Sequence, residues 1–237
     1  MSGTIANSAN SCVVEVYPFD LDCEESIPLD LALIWLSEGE RERAERFRFP
    51  VHRERYLRGR AVMRGLLGKR LGIDPASLVL GEGDRGKPSL MSHSTGFNLS
   101  HSENLAVLAI GDAEVGVDIE RYDRKVDHEG LGRRCFREAE IAWMEGFGPQ
   151  DLHRGFFRIW TAKEARMKAT GEGFQLEPKR ISLEFEGERP VRIGEPAVPE
   201  TWLESFDLFE GTAACAVVSL VSLRAEVKPL PGWMVGG

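Results

Sequence analysis

Two acidic side chains lie two residues apart in a short apolar segment, Gly116-Val117-Asp118-Ile119-Glu120. Successive side chains of a β-strand point to opposite faces, so Asp118 and Glu120 share one face while the apolar residues between them enter a core. Two like charges at that spacing repel each other and need a cation or water beside them. The segment predicts either a cation site or a strand end with two solvated acids. Gly116 leaves room for a ligand or another backbone.

A second group of charged residues lies at positions 160–168, in a segment whose composition predicts a helix. Residues four apart meet on one helix face, which places Trp160, Glu164 and Lys168 together. One interpretation is a surface ion pair between Glu164 and Lys168, with Lys163 and Arg166 as solvated neighbours.

The other interpretation joins Glu164 to Asp118 and Glu120 around one divalent ion. Three carboxylates together with phosphate oxygens of a substrate suit Mg²⁺, which prefers oxygen ligands and keeps some of its water.

The segment Phe97-Asn98-Leu99-Ser100-His101-Ser102 offers hydroxyls, an imidazole and backbone N–H groups where a phosphate could bind. Ser100 and His101 are not a hydrolase pair, because neighbours on a strand point to opposite faces and the chain has no GxSxG segment. Residues 81–88 approach the phosphate-binding pattern GxxxxGK[ST], but Pro88 takes the place of the required hydroxyl. Arg85 and Lys87 remain candidate phosphate ligands on that loop.

The segments around these residues alternate between helical and extended patterns. Helices are expected over residues 29–36, 38–71 (divided at Pro50 and ended by Gly72), 137–146 and 152–170. Strands are expected over residues 13–16, 97–100, 105–110, 115–120, 181–186, 206–209 and 213–223. This order predicts an α+β fold rather than a doubly wound parallel sheet. A boundary falls near residues 111–114, giving a first half of 1–112 and a second half of 113–237.

Composition narrows the class of protein. The 237 residues are 42% apolar and carry a net charge of −8, whereas residues 41–70 alone carry +8 (ten Arg and one Lys against three Glu). An acidic chain argues against general nucleic-acid binding. The basic segment indicates a compact anion, an acidic partner or a solvated Arg-rich helix. No apolar run approaches the roughly 20 residues of a membrane span, no signal peptide is recognisable, and the four cysteines form no CxxC, so a cytoplasmic protein is expected.

Taken in order, the motifs Gly-Lys-Pro, Phe-Asn-x-Ser-His-Ser, Gly-x-Asp-x-Glu and Trp-x-x-Lys-Glu-Ala-x-x-Lys resemble those of the surfactin-type 4′-phosphopantetheinyl transferases. Together with the upstream Arg-rich region, the resemblance covers most of the chain. It implies two similar α/β halves in one chain, an active site at their interface, and a monomer with pseudo-twofold symmetry.

The resemblance also implies an activity and its residues. Such enzymes transfer phosphopantetheine from coenzyme A to a serine of an apo acyl or peptidyl carrier protein, with Mg²⁺ or Mn²⁺, and release adenosine 3′,5′-bisphosphate. The matching metal carboxylates are Asp118, Glu120 and Glu164. The matching coenzyme A contacts are Arg43, Arg85, Lys87, Ser100, His101, Asp118, Glu164 and Lys168, of which His101, Glu164 and Lys168 are also the expected catalytic residues.

Some points stay open at this stage. Glu164 is the first choice as the base for the serine hydroxyl, with Glu140 of the family's Phe-x-x-x-Glu pattern or a water as alternatives. Phe174 and Leu176 are expected to form the carrier-docking surface. Two alternatives to the transferase are a metal-dependent nucleotide phosphohydrolase and a non-catalytic protein that binds coenzyme A or the carrier protein.

Overall fold

The computed structural model describes residues 11–24, 27–82, 87–90 and 93–234, without the side chains of Glu82 and Phe174. Helices in this part of the chain are α1 (Leu29–Trp35), α2 (Glu38–Glu45), α3 (Pro50–Leu71), α4 (His128–Cys135), α5 (Glu138–Glu145) and α6 (Leu152–Ala169). Strands are β1 (Cys12–Asp20), β2 (Leu80–Glu82), β3 (Pro88–Leu90), β4 (Gly96–Ser102), β5 (Leu105–Gly111), β6 (Val115–Arg121), β7 (Ser182–Glu186), β8 (Arg189–Glu195), β9 (Trp202–Leu208), β10 (Ala213–Ser219) and β11 (Leu223–Val227).

The Arg-rich segment forms two helices, as expected from Pro50. A proline is tolerated at the first position of a helix but not in its interior, and Pro50 opens α3. The helix ends at Gly72, whose φ of 67° is a left-handed conformation that favours glycine. The shorter helix α2 is capped by Ser37, which precedes its first residue and forms a reciprocal capping box with Glu40.

Two sheets form the centre of the molecule. The first has the order β11-β1-β5-β4 and the second the order β6-β10-β9, with β2–β3 and β7–β8 as separate two-stranded ribbons. Pairing is antiparallel except between β1 and β11, which run parallel from Cys12 beside Leu223 to Val16 beside Val227. The last strand therefore returns to the first sheet.

The layers follow from the side-chain alternation of the strands. One face of the first sheet packs against α1 and α3 through Phe19 and Leu108, and its other face meets the second sheet through Val16, Val107 and Val117. The far face of the second sheet packs against α6. The molecule is thus a helix–sheet–sheet–helix stack, and this mixed architecture is consistent with the expected α+β class.

Some elements differ from the sequence-based expectation. Helix α4, the ribbon strands β2 and β3, and β8 were not expected, and the predicted strand 213–223 is divided into β10 and β11. Helix α4 carries Gly130 and Gly132, which weaken a helical pattern. No helix in the described ranges is long and apolar enough to cross a membrane.

Candidate active site

Strand β6 positions the two acidic residues as its alternation predicts. Val117 and Ile119 lie in the core between the sheets, whereas Asp118 and Glu120 face α6 and remain only 5% and 8% exposed. Helix α6 passes very close to β6 at Gly116, where an added Cβ would lie 2.1 Å from the carbonyl oxygen of Ala165. The space beside the acids is therefore occupied by another backbone, one of the two alternatives expected for that glycine.

Helix α6 brings Lys168 to the acidic pair. Its Nζ lies 2.6 Å from Asp118 Oδ1 and donates to Ser100 Oγ at 3.0 Å. Glu164, one turn earlier on the same helix face, lies near enough to both acids for their charges to shift its pKa. The contact of Asp118 with Lys168 joins segments that are 50 residues apart in sequence.

Strand β4 contributes hydroxyl groups to the same cluster. Ser100 donates to Asp118 Oδ1 at 2.8 Å, and Ser102 donates to Glu120 Oε2 at 2.6 Å. The other oxygen of Glu120 accepts a hydrogen bond from Arg124. Ser102 and Arg124 were not among the predicted site residues. The spacing of Asn98, Ser100 and Ser102, every second residue of one strand, was the available signal for Ser102.

Uncompensated negative charge marks the cluster. Burial raises the pKa of Glu164 to about 7, and the charges of Asp118 and Glu120 add to that effect while Lys168 opposes it. Burial also raises the pKa of Glu120, although the hydrogen bond from Ser102 works against the shift. Asp118 Oδ2 and Glu164 Oε1 are buried and accept no hydrogen bond.

The unpartnered oxygens of Asp118 and Glu164 are suited to bind a divalent cation. Two orphaned carboxylate oxygens in a buried anionic cluster are the donors that Mg²⁺ prefers. Among the described residues, no three Asp, Glu, His or Cys side chains are already grouped around a metal position, and the Lys168 ammonium lies against Asp118 Oδ1. The donor set fits the ion, and the carboxylates would have to close on it.

A cavity of about 490 Å³ adjoins β4 on the first half of the chain and brings Arg43 and His101 together. The Arg43 guanidinium lies 5.6 Å from the centre of the Tyr56 ring that also lines the cavity. His101 is solvent-accessible as a residue, but partial desolvation of its imidazole, with the positive charges of Lys168 and Arg55, lowers its pKa. Ser100 and His101 point in different directions, as expected of neighbours on a strand: one to Asp118, the other into the cavity.

Lys87 does not line that cavity, although its neighbour Pro88 does. Its Nζ contacts Glu114 Oε2 at 2.7 Å and Val115 O at 3.0 Å, and its side chain lines a different cavity of about 430 Å³ with His93 and Thr170. Its contact with coenzyme A stays a prediction. Arg85 lies outside the described residues.

Three charged residues near the candidate site are buried. Glu140 is 1% exposed, lies 2.6 Å from Lys163 Nζ, and accepts hydrogen bonds from the backbone N–H groups of Arg137 and Leu183. Lys163 and Arg166, expected to be solvated in the ion-pair interpretation, are both fully buried. Glu140 is therefore committed to the packing of α5 and α6 and is unsuited to be the base.

The predicted docking surface is wrong at Leu176. That side chain is only 8% exposed and belongs to the core between α6 and the second sheet. The other predicted member of the surface, Phe174, has its side chain outside the described part of the chain.

Comparison with known proteins bears on the same segments. Residues 114–218 match the family model described as 4′-phosphopantetheinyl transferase superfamily, and residues 25–112 match the model described as 4′-phosphopantetheinyl transferase, N-terminal. The two matches meet near residue 113, between β5 and β6, and β6 carries Asp118 and Glu120 of the candidate site.

Individual relatives agree with these matches. The chain is similar to the 4′-phosphopantetheinyl transferase HetI of Nostoc sp., with 40% identity over 72% of this chain and 74% of the relative. It is 34% identical to a putative 4′-phosphopantetheinyl transferase of Synechocystis sp. over 58% of each chain. A 4′-phosphopantetheinyl transferase of Bacillus subtilis is 28% identical over 70% of this chain and 74% of the relative. On these similarities, the chain belongs to the 4′-phosphopantetheinyl transferase family.

Proposed function

We propose that this transferase moves 4′-phosphopantetheine from coenzyme A to a serine of an apo acyl or peptidyl carrier protein and releases adenosine 3′,5′-bisphosphate. The observation that carries the proposal is the cluster of Asp118, Glu164 and Lys168. It holds carboxylate oxygens without hydrogen-bond partners and the ammonium of Lys168, and it lies beside the cavity lined by Arg43 and His101. A highly charged diphosphate needs cationic groups of this kind along its length.

The carboxylates Asp118, Glu120 and Glu164 are the residues that would hold Mg²⁺, or Mn²⁺ in its place. When bound, the ion supplies neutralisation of the negative charge on the diphosphate and on the departing bisphosphate. The support for this assignment is the pair of buried oxygens without hydrogen-bond partners, together with the elevated pKa values of Glu120 and Glu164.

Three further side chains are assigned to coenzyme A. The ammonium of Lys168 contacts Asp118. It would turn toward the diphosphate when Asp118 binds a divalent cation. His101, whose lowered pKa favours the neutral imidazole, would donate a hydrogen bond to a phosphate oxygen rather than form an ion pair. Arg43, which has an exposed guanidinium at the cavity, is assigned to the 3′-phosphate.

The base for the serine hydroxyl is Glu164 in this proposal. Glu164 Oε1 has no hydrogen-bond partner and can accept a proton, although a divalent cation beside this carboxylate lowers its pKa and so weakens it as a base. Glu140 is unsuited to this role because its oxygens contact Lys163 and accept hydrogen bonds from two backbone N–H groups. A water that passes the proton to bulk solvent is the remaining alternative.

We further assign the chain to the surfactin-type class, acting as a monomer whose halves divide near residues 112 and 113. The support is the arrangement of the halves: in each, a long helix packs against a largely antiparallel sheet, α3 in the first and α6 in the second. By family resemblance, Arg85 is assigned to the adenine nucleotide of coenzyme A, and Lys87 of the Gly-Lys-Pro motif is assigned to a contact with coenzyme A. The Lys87 contact requires its ammonium to leave Glu114.

The test is the intact mass of an apo carrier protein incubated with the enzyme, coenzyme A and Mg²⁺. We expect a gain of about 340 Da, one phosphopantetheine arm, on the carrier serine. Glu164→Gln should abolish the gain, while Glu145→Gln, at an exposed glutamate near the end of α5, should not.

Other outcomes would identify the alternatives. Turnover of coenzyme A without a carrier would indicate a metal-dependent phosphohydrolase. Tight binding of coenzyme A without a mass gain on acyl and peptidyl carriers would indicate a non-catalytic binding protein.

A further inference from the structure

One face of β4 carries polar side chains at every second position, and each forms a hydrogen bond with β6. Asn98 Oδ1 accepts from the backbone N–H of Val117 at 2.9 Å. Ser100 donates to Asp118 and Ser102 donates to Glu120, so the three residues contact β6 in register over its length.

These side-chain contacts between β4 and β6 take the place of backbone–backbone hydrogen bonds between the two strands. Strand β4 is at one edge of the first sheet and β6 at one edge of the second, so the two strands belong to different sheets. Edge strands expose backbone polar groups that need partners when they are buried. The side chains of Asn98 and Ser102 provide such partners by accepting from the N–H groups of Val117 and Arg121.

The contacts of Ser102 determine the direction of its hydroxyl proton. Its Oγ accepts from the N–H of Arg121 at 3.2 Å and lies 2.6 Å from Glu120 Oε2. Since a carboxylate only accepts, the hydroxyl must donate to Glu120. The Ser102 side chain is buried, so this charge-assisted bond is shielded from water.

The second hydrogen-bond partner of Glu120, Arg124, restricts the orientation of the carboxylate less than Ser102 does. Arg124 contacts the other carboxylate oxygen, but its own side chain is 47% exposed. An exposed arginine samples several rotamers and is screened by solvent. The buried hydroxyl of Ser102 is therefore the contact that determines the orientation of Glu120.

We infer that Ser102 is a positioning residue: through its hydrogen bond it holds the Glu120 carboxylate ready for the divalent cation, and Asn98 holds β4 and β6 in the register that this requires. The inference rests on the proposed cation site at Asp118, Glu120 and Glu164. Partners that orient a metal ligand commonly change metal affinity 10- to 100-fold when they are removed.

The experiment compares two substitutions of nearly equal shape. Ser102→Thr keeps the hydroxyl and Ser102→Val does not. Binding of Mg²⁺ to the full chain with coenzyme A, without any carrier, is measured by titration calorimetry, and the melting temperature is measured in parallel. We expect Ser102→Val to weaken Mg²⁺ binding about tenfold and Ser102→Thr to stay within about threefold of the unaltered protein.

Ser205 offers a matched control in β9. Its hydroxyl donates to the carbonyl of Pro190 at 2.6 Å, the same distance as in the Ser102 contact, but with no carboxylate involved. Ser205→Val should reduce stability without a change in Mg²⁺ affinity. If Ser102→Val is not folded, Ser102→Ala, which removes the hydroxyl without adding bulk, takes its place.

The outcomes separate this inference from the proposed function. Asp118→Asn should weaken Mg²⁺ binding if the proposed cation site is right, and unchanged binding in that variant would overturn the site itself. Weakened binding in Asp118→Asn with unchanged binding in the hydroxyl-free Ser102 variant would overturn only the positioning role. The same holds if Ser102→Thr loses as much affinity as Ser102→Val, because then shape rather than the hydroxyl matters.

Discussion

At the scale of single residues, Glu164 differs from an ordinary surface glutamate because its neighbours disfavour its charge. Burial and the charges of Asp118 and Glu120 outweigh Lys168 and raise its pKa to about 7. The protonated form is thus favoured by folding. Its contribution to stability is complete below the unfolded pKa near 4.5 and is lost as the pH rises through about 7.

This predicts a pH-dependent stability in the absence of divalent cations. Between pH 5 and pH 8 the protein should lose on the order of 2 kcal/mol of unfolding free energy through this one group. Glu164→Gln, which stays neutral, should melt at a higher temperature than the unaltered protein at pH 8 but not at pH 5. Thermal melts in a chelator at both pH values check this, and equal differences at the two would contradict it.

Arg43 allows a prediction about the nucleotide end of coenzyme A. Its exposed guanidinium lines the cavity with His101, whereas Arg46, the residue that ends α2, does not line it. Loss of a hydrogen bond to a charged group costs about 1.5–3 kcal/mol. Arg43→Ala should therefore raise the KM for coenzyme A roughly tenfold or more and leave the KM for 3′-dephospho-coenzyme A unchanged.

Steady-state kinetics with both compounds decide the point. Arg46→Ala serves as the control and should change neither KM. An equal rise for the two compounds in Arg43→Ala would place that arginine away from the 3′-phosphate.

At the scale of secondary-structure elements, the buried pair of Lys163 and Glu140 fastens α6 to its surroundings. Lys163 Nζ also donates to the carbonyl oxygens of Pro178 and Ile181 at 2.9 and 2.8 Å. Burial lowers the pKa of Lys163, while the charge of Glu140 opposes the shift. One residue further along α6 is Glu164, so these contacts set the height and rotation of the helix that carries the site.

Removing one partner of this pair should cost far more than removing a surface lysine. Lys163→Met would leave Glu140 buried without its cation, which we expect to cost about 3–5 kcal/mol in denaturant unfolding. The control Lys179→Met removes an exposed ammonium that donates to the Arg133 carbonyl, and should cost less than about 0.5 kcal/mol. Combining Lys163→Met with Glu140→Gln should recover part of the loss, and no recovery would show that the lysine acts only through the carbonyl groups.

At the scale of the whole molecule, the last described residues pack against the first strand and the first core of the chain. Strand β11 pairs with β1, and Met234, which is 1% exposed, packs in the core beneath α3. Residues of the second half of the sequence therefore support the sheet and core from which the Arg43 cavity is built.

Removing the chain from Leu223 onward should consequently destabilise the first half as well. We expect the melting temperature to fall by at least about 10 °C, since burial of a Met side chain and a full strand pairing are lost together. Val227→Thr, at a residue of β11 that is 52% exposed, should stay within about 2 °C. Circular dichroism melts measure both, and an unchanged melting temperature after truncation would contradict this view of the fold.

Most helices and strands, and the faces that the acidic residues share, were predictable because they depend on local periodicity. The alternation of Asp118 and Glu120 on β6, and the one-turn spacing of Glu164 and Lys168 on α6, each place two residues on one face before any packing is known. The break at Pro50 and the helix end at Gly72 follow from backbone conformation alone. Weakly patterned elements such as α4 were missed because their own residues give little preference.

Local periodicity is enough to assign residues to a shared face, since the periods of strand and helix act over a few residues. What each face contacts depends on how distant segments pack together. The packing of distant segments buries Lys163 and Arg166, and it also buries Glu140 and Leu176 away from the site. The same packing brings Lys87 into contact with Glu114 and Ser102 into contact with Glu120. These contacts join positions that local spacing leaves unrelated, and burial and hydrogen-bond partners arise from such long-range contacts.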